Sequence, residues 1–505
     1  MMMTKSLIFG SAVGLVAMGG AQAADLPVKA KAVEYVRICS LYGAAFYYIP
    51  GTDTCIKFGG YLRVDLALNS PDYVPGLNGQ VGAQNRLSNY YNTRSRSDFT
   101  IDTRTATEYG VVRTYSDVLF TWTTGNYVGS APGAYDASGV NVGSTTLGIN
   151  YAFIQFAGFT MGRAVSAFDA PWQSYPAGLL DGLPGGSNHV TGANQFTYTA
   201  QFGNGVSGSL SAEDPTAQNT TNAWNTSYAT ALLYPTGAYG TNSFGGTRAP
   251  DLIGNVTVDQ AWGLFKLSAA AHNNHVSYYG TTEPTGHPGD KWGFAVQAAL
   301  SIKKIPTGPG DTLNVQAVYT DSASRYNFQT FVPTTYALYG GSNIPGAYQS
   351  LGLGSVADVT YSGTTAATGT ALESVKTWGF RGGFTHNWNA NWASAIYGAY
   401  ASVRYGNNAK NAICSPAVAT SIVVLNGLTG NCNPDLNIAV IGTNLIWTPV
   451  KNLAFTADIN VTQLDQKYSG VIAAPAVLGV AKPAAFYTLK DQTGVSMLIR
   501  AQRNL

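Results

Sequence analysis

The sequence predicts an all-β fold, a transmembrane antiparallel β-barrel of about 16 strands. Three observations predict it. Apolar and polar residues alternate with period two in segment after segment. The connections between those segments alternate between short and long. Only 11% of the residues are charged, while 58 are Gly and 31 are Tyr. That is unusually little charge for a soluble surface. A closed membrane barrel relieves the tension, because lipid-facing side chains alternate with lumen-facing ones and a neutral average conceals two consistent faces.

In chain order the first element is a leader. Lys5 supplies a positive start, Leu7 to Met18 a compact apolar stretch, and Ala21-Gln22-Ala23 a small-residue cleavage site. Residues 1–23 therefore read as a secretory signal peptide and 24–505 as a single exported barrel domain. The apolar stretch is too short to persist as a spanning helix, and later ones are broken well before the roughly 20 apolar residues that such a helix needs.

The first strand, 55–68, places Ile56, Phe58, Leu62, Val64, Leu66 and Leu68 on one parity and Lys57, Tyr61, Arg63 and Asp65 on the other. Successive side chains of a strand point to opposite faces, so one face is greasy and the other wet. Strands 95–107 and 110–122 repeat the rule, with Phe99, Ile101, Val112, Val118, Phe120 and Trp122 facing lipid. The alternation is weaker in 145–157, and 160–167 follows it. Segments 194–202 and 205–214 form a hairpin about Gly203-Asn204-Gly205, with Phe196, Tyr198, Ala200 and Phe202 set against Gln195, Thr197, Thr199 and Gln201. The remaining strands are 252–260, 262–272, 292–302, 312–321, 374–386, 392–405, 436–448, 453–464 and 494–504. Among them 292–302 (Trp292, Phe294, Val296, Ala298, Leu300, Ile302) and 453–464 (Leu453, Phe455, Ala457, Ile459, Val461) are the clearest.

Short turns fall near 108, 158, 204, 261, 307, 389 and 450, and long loops at 69–94, 123–144, 168–193, 215–251, 273–291, 322–373, 406–435 and 465–493. Short periplasmic turns and long extracellular loops are the construction of outer-membrane barrels, whereas a sandwich or propeller gives no reason for strict alternation. Closure requires the last strand to pair with the first, which makes one domain of the whole length. The Gly/Ser/Thr/Asn-rich stretches 215–251 and 322–373 read as surface loops.

Four cysteines in an exported chain are expected to pair. Three connectivities are open, and local pairing of Cys39 with Cys55 and Cys414 with Cys432 is favoured because it closes one loop ahead of the first strand and another within a late surface loop. The spacing of Cys and His does not suit zinc, and no metal or cofactor is expected. A net charge of +2 without a Lys/Arg run gives no reason to expect a nucleic-acid partner. The motifs of a nucleophile elbow, a phosphate loop and a zinc helix are missing, so no enzyme is expected. His272 and His275 read as surface histidines at a strand end.

In a channel the chemistry is the electrostatics of the narrowest point. Arg94, Arg96, Asp98, Asp102 and Arg104 share the wet parity of one strand, and Arg113 follows on the next. Lys57, Arg63, Arg381, Arg404 and Arg500 have the same inward assignment, giving a basic wall. The third long loop offers Asp169 and Asp181, carboxylates that would face the arginines if the loop folds inward.

Several blocks carry a family resemblance. The stretch A-D-L-P-V-K-A (24–30), the run from Cys39 to Arg63, N-T-R-S-R-S-D-F-T-I-D-T-R-T-A-T-E-Y-G-V-V-R-T-Y (92–115), A-F-I-Q-F-A-G-F-T-M-G-R (152–163), W-T-P-V-K-N-L-A-F-T-A-D (447–458) and L-I-R-A-Q-R-N-L (498–505) resemble the alphaproteobacterial general porins. The resemblance implies a homotrimer of sixteen-stranded barrels in the outer membrane, an inward third loop after Arg163, trimer contacts on the early and final strands, and passive transport of ions and small solutes. Outer-membrane lipid, lipopolysaccharide and the barrel-insertion machinery are the implied partners. Such barrels usually end in Phe, whereas this one ends in Leu505, which keeps the lipid parity of Val495, Met497, Ile499 and Ala501. A substrate-specific channel and a barrel with a mainly surface-structural role are the alternatives.

Overall fold

Residues 37–69, 91–124, 144–172, 177–187, 191–217, 222–228, 243–329, 332, 334–340, 350–415, 428–474 and 484–505 are described by the computed structural model. The leader expected at 1–23 and most of the first two long loops lie outside them. Sixteen long strands pair among these residues: β1 (Thr54–Leu68), β2 (Tyr91–Thr107), β3 (Gly110–Thr123), β4 (Ser144–Phe156), β5 (Phe159–Ala164), β6 (Ala193–Gly203), β7 (Val206–Glu213), β8 (Asp251–Gln260), β9 (Gly263–Asn274), β10 (Lys291–Ile302), β11 (Thr312–Asp321), β12 (Glu373–Asn387), β13 (Trp392–Tyr405), β14 (Leu436–Val450), β15 (Leu453–Gln466) and β16 (Gln492–Asn504). Each pairs antiparallel with the next, and β16 pairs with β1 from Tyr61↔Asn504 to Leu68↔Met497, so the sheet closes. The sixteen segments read from the alternation are these strands; the largest shifts are an earlier start of β2 and an earlier end of β5.

Closure removes the free edges that lipid could not hydrogen-bond. The greasy parity faces outward: Phe58, Leu62, Val64, Phe294, Val296, Ile396 and Ile441 are all exposed. At the short-turn end Trp392 stacks on Trp447 at 5.9 Å, and Trp447 on Phe455 at 5.5 Å, the amphipathic rings that suit a membrane interface. Among the described residues no helix is long and apolar enough to cross a membrane. The disulfides are Cys39–Cys55 and Cys414–Cys432, the favoured local pairing.

The inward face is not uniformly wet, and this decides where the loops go. At the long-loop end Val375, Ala401, Val403, Ile438 and Leu464 face inward and are buried in one apolar cluster with Tyr336, Leu338, Leu351, Leu353 and Tyr487 from loops. Those loop residues lie on a small sheet in which Thr335–Gly340 pairs with Ser350–Ser355, which meets Ala485–Leu489, which pairs with Gly470–Ala474. The sixth loop is therefore not the plain surface loop that its Gly/Ser/Thr content suggests: its apolar minority folds back onto an apolar part of the wall. A second such contact buries Trp224 as Asn222–Asn225 pairs in parallel with Ala357–Tyr361.

Two side-chain expectations are corrected by the same packing. His272 is not a surface histidine; it points inward, 1% exposed, beneath the sixth loop, and its Nδ1 lies 2.8 Å from Asp251. His275 does sit at the margin, 2.8 Å from Asp290. Arg404 is not on the inward parity, because on β13 Tyr397, Ala399, Ala401 and Val403 are the buried inward set. Its guanidinium instead runs along the rim to the carbonyls of Val403 and Leu436 and to Asn437 Oδ1.

Candidate functional site

The third loop leaves β5 after Ala164 and returns at Ala193, and its described residues run along the inside of the wall. On one side, Asn255 Nδ2 donates to Ala167 O at 2.7 Å, Lys266 Nζ to Asp169 O at 2.8 Å, and Gln297 Oε1 accepts from Ser187 N at 2.6 Å. Farther round, Gly185 N donates to the backbone carbonyl and to Oδ1 of Asn327 in the sixth loop, and Phe168 packs on Tyr326 at 4.4 Å. Gly185 has φ +96°, and a Cβ there would stand 2.4 Å from the Phe380 carbonyl oxygen, so only glycine lets the loop lie this flat on β12.

The loop tip then crosses to the closing strands. Arg381 Nη1 donates to Leu183 O at 2.6 Å, Asn444 Nδ2 to Ala177 O at 2.7 Å, and Leu179 N to Asp458 Oδ2 at 3.1 Å, while Asp458 Oδ1 accepts from Tyr397 Oη at 2.6 Å. Leu180 and Leu183 are buried with Ala67, Tyr397, Ala399, Val440 and Leu498, all of them inward residues of the wall. Two leucines in a polar loop thus supply an apolar foot, and the wall supplies a small apolar patch to receive it.

The foot brings Asp181 to the seam where β16 meets β1 and β2. Register places Asp65 opposite Arg500 on one side and Arg94 on the other. Arg94 donates from Nε and Nη2 to Asp65 at 2.8 and 2.7 Å and from its other face to Asp181, and Arg500 Nε donates to Asp65 at 2.6 Å. Charge-assisted, forked contacts of this kind fix orientation as well as energy. Burial alone would raise the Asp181 pKa, but the Arg94 guanidinium, with Arg96 and Arg500 behind it, holds it at about 2. Arg63 bonds Gln502 at 2.8 Å, and Arg96 bonds Thr121 at 3.1 Å.

The expected residues therefore separate by place. Arg63, Arg94, Arg96 and Arg500 gather around Asp65 with Asp181, and Lys57, Arg104 and Arg113 lie farther down the same wall toward the short turns. Arg381 is buried beneath the third and sixth loops, 1% exposed. Asp169 is brought not to the seam but to the side of β9, fully buried, accepting from Ser187 Oγ at 2.6 Å. Asp65, Asp458 and Tyr397 were missed as site residues. Asp65 and Asp458 do carry the wet parity, but only register and the loop's path show that they receive anything.

Accessibility differs around the wall. Inward polar groups of β10 to β16, such as Gln316, Thr377, Asn460, Thr462 and Ser496, are buried under loops or packed side chains. Inward groups of β1 to β3, including Lys57, Arg63, Arg96, Arg104 and Arg113, keep contact with solvent. These hydrated cations, interleaved with the buried Asp65, Arg94, Asp98 and Asp102, adjoin a covered surface lined by amides and hydroxyls where β16 meets β1.

A family model described as Porin subfamily matches residues 25–498. This chain belongs to that porin family. Among curated porins it is 34% identical to Porin Omp2a of Brucella ovis over 216 residues, 41% of this chain and 59% of that one, and 34% identical to Porin Omp2b of Brucella suis biovar 1 (strain 1330) over 212 residues, 41% and 53%. The porin thus spans between half and three fifths of the length of those relatives. In three dimensions it is similar to the outer membrane channel DcaP of Acinetobacter baumannii, with TM-score 0.52 and 13% identity over 91% of this chain and 99% of that one, a likeness of fold.

Proposed function

We propose that this porin forms a water-filled channel in the outer membrane for passive diffusion of ions and small hydrophilic solutes, with no catalytic role. The observation that carries the reading is a closed barrel whose third loop runs inside it and is fastened by Asp181 to Arg94, on a wall where Arg63, Arg96, Arg104 and Arg113 keep contact with solvent. Fixed, solvated charges along the wall of a narrowed aqueous passage favour hydrophilic solutes and disfavour apolar ones without a binding step. The extent to which the third and sixth loops cover the wall favours a narrowed, solute-selective passage as the second reading.

The channel is a homotrimer in this proposal, seated among outer-membrane lipid and lipopolysaccharide after export and insertion. Supporting the assembly, the outward face of β2 and β3 interleaves Ser95, Ser97, Thr103, Thr105, Thr114 and Ser116 with Phe99, Ile101, Val118, Phe120 and Trp122, whereas that of β10 is wholly apolar, Trp292, Phe294, Val296, Ala298 and Leu300. Thr54 and Thr105 bond each other at 2.9 Å, and Thr103 bonds Thr114. A face that mixes hydroxyls with apolar rings matches acyl chains less well than a wholly apolar one and suits another copy of the chain.

The test is a planar bilayer. Purified, SDS-resistant oligomer gives stepwise KCl conductance; a folded oligomer that conducts nothing sinks the proposal. Conductance that saturates with one solute, and not with others of its size, favours the second reading.

A further inference from the structure

We propose that the short-turn mouth of the lumen holds a binding site for small carboxylate anions with a flat apolar body, separate from the third-loop contact. The inference rests on the channel reading and adds a ligand class to it. Arg104 lies ten residues along β2 from Arg94, about 34 Å of strand at 3.4 Å per residue.

The site begins with register. Lys57 on β1 stands opposite Asp102 on β2, Arg104 on β2 opposite Arg113 on β3, and Arg113 opposite Gln155 on β4. Asp102 is the shared anion: Arg104 donates to it from Nε at 3.2 Å and Nη2 at 3.0 Å, and Arg113 from Nη2 at 2.9 Å. Arg113 Nη1 is turned to Gln155 Oε1 at 3.0 Å. Lys57 forms no ion pair among the described residues. Three cations against one carboxylate leave two positive charges on a solvated patch, and the guanidiniums are 30% and 29% exposed.

Rings enclose the patch. Phe46 lies 4.9 Å from the Arg104 guanidinium and 5.8 Å from Lys57 Nζ, and Tyr42 lies 5.7 Å from Arg104. On the other flank Tyr115 and Phe153 stack at 5.4 Å and sit 5.1 and 5.5 Å from Arg113. Tyr42 and Phe46 come from the segment ahead of β1, pinned beneath the barrel by Cys39–Cys55 and by Cys39 N donating to Phe46 O at 2.9 Å. The buried Tyr42 hydroxyl has no hydrogen-bond partner. Neutralising the patch requires an anion, the donor fork of arginine suits a planar carboxylate, and Tyr42, Tyr115 and Phe153, partly exposed around the buried Phe46, suit a flat apolar body beside it. Because the disulfide fixes two of the rings in advance, little ordering opposes binding.

Sodium benzoate, sodium acetate and benzamide are added to single channels in KCl. Benzoate lowers the conductance saturably, and acetate and benzamide need at least tenfold more for the same effect. The variant carrying Lys57→Gln with Arg104→Gln raises the half-blocking benzoate concentration at least tenfold; Phe153→Leu, which keeps every charge and alters a partly exposed ring, raises it severalfold and serves if the double variant fails to assemble. Equal block by acetate, equal block by benzamide, or an unchanged benzoate response in the variant that assembles overturns the site. A folded oligomer without KCl conductance overturns the channel reading instead, so the two failures are distinguishable.

Discussion

Replacing Asp181 by Asn tests the electrostatics of the lumen at its most specific point. Arg63, Arg94, Arg96 and Arg500 gather around the carboxylates Asp65 and Asp181, and the substitution makes the group one unit more positive. For an ion in lumen water about 5 Å from the removed charge, the change is roughly 0.8 kcal/mol before screening, and a Debye length of about 10 Å at 0.1 M salt trims it to roughly 0.5 kcal/mol. Cations then lose a factor of about 2.3 in local concentration and anions gain as much, which is about a fivefold shift of the permeability ratio toward anions. The loop itself stays in place, because Arg381, Asn444 and Asp458 hold its backbone independently. The assay is the reversal potential across a KCl gradient, with Asp169→Asn as the control, since Asp169 is buried against Ser187 on another part of the wall. A potential that Asp181→Asn leaves unmoved, or that Asp169→Asn moves as far, refutes the reasoning.

Three further outcomes follow from the same geometry. The Asp181 carboxyl, held at about 2 against an ordinary 3.8, contributes its anchoring in full above about pH 3.8 and loses it as pH falls through 2, so single-channel noise stays constant from pH 7 to 4 and rises below that; noise that rises already at pH 6 assigns the anchor to another group. Asp458→Ala removes the acceptor that Leu179 N and Tyr397 Oη share, a cost of about 1–3 kcal/mol, and open-channel noise increases while the barrel remains SDS-resistant. Cys39→Ala with Cys55→Ala loosens the segment ahead of β1 by about 3 kcal/mol of loop constraint; limited proteolysis then clips residues 37–53 and spares the barrel.

How far the fold was legible depends on how local its signals are. Each strand advertises itself through its own parity, so Trp292 to Ile302 or Leu453 to Val461 identifies a membrane-facing surface without any knowledge of its neighbours. The two local cysteine pairs and the carboxylates on the wet parity were equally visible. The sixth loop was not, since its Gly, Ser and Thr hide the few apolar residues, Tyr336, Leu338, Leu351 and Leu353, that fold it inward. Arg404 was misplaced because parity must be counted from the strand's buried set, and near the rim an arginine reaches sideways to whatever carbonyls lie there.

What the chain determined by itself was the number of strands, their faces and the order in which they join, because period two and turn chemistry act over a few residues. What only the tertiary structure decided was which charges meet. Asp65 and Arg500 are 435 positions apart and touch because the sheet closes in one register, and Asp181 reaches Arg94 because two leucines of the same loop found an apolar footing across the lumen. Closure and loop packing are long-range events, and no window of neighbouring residues records them.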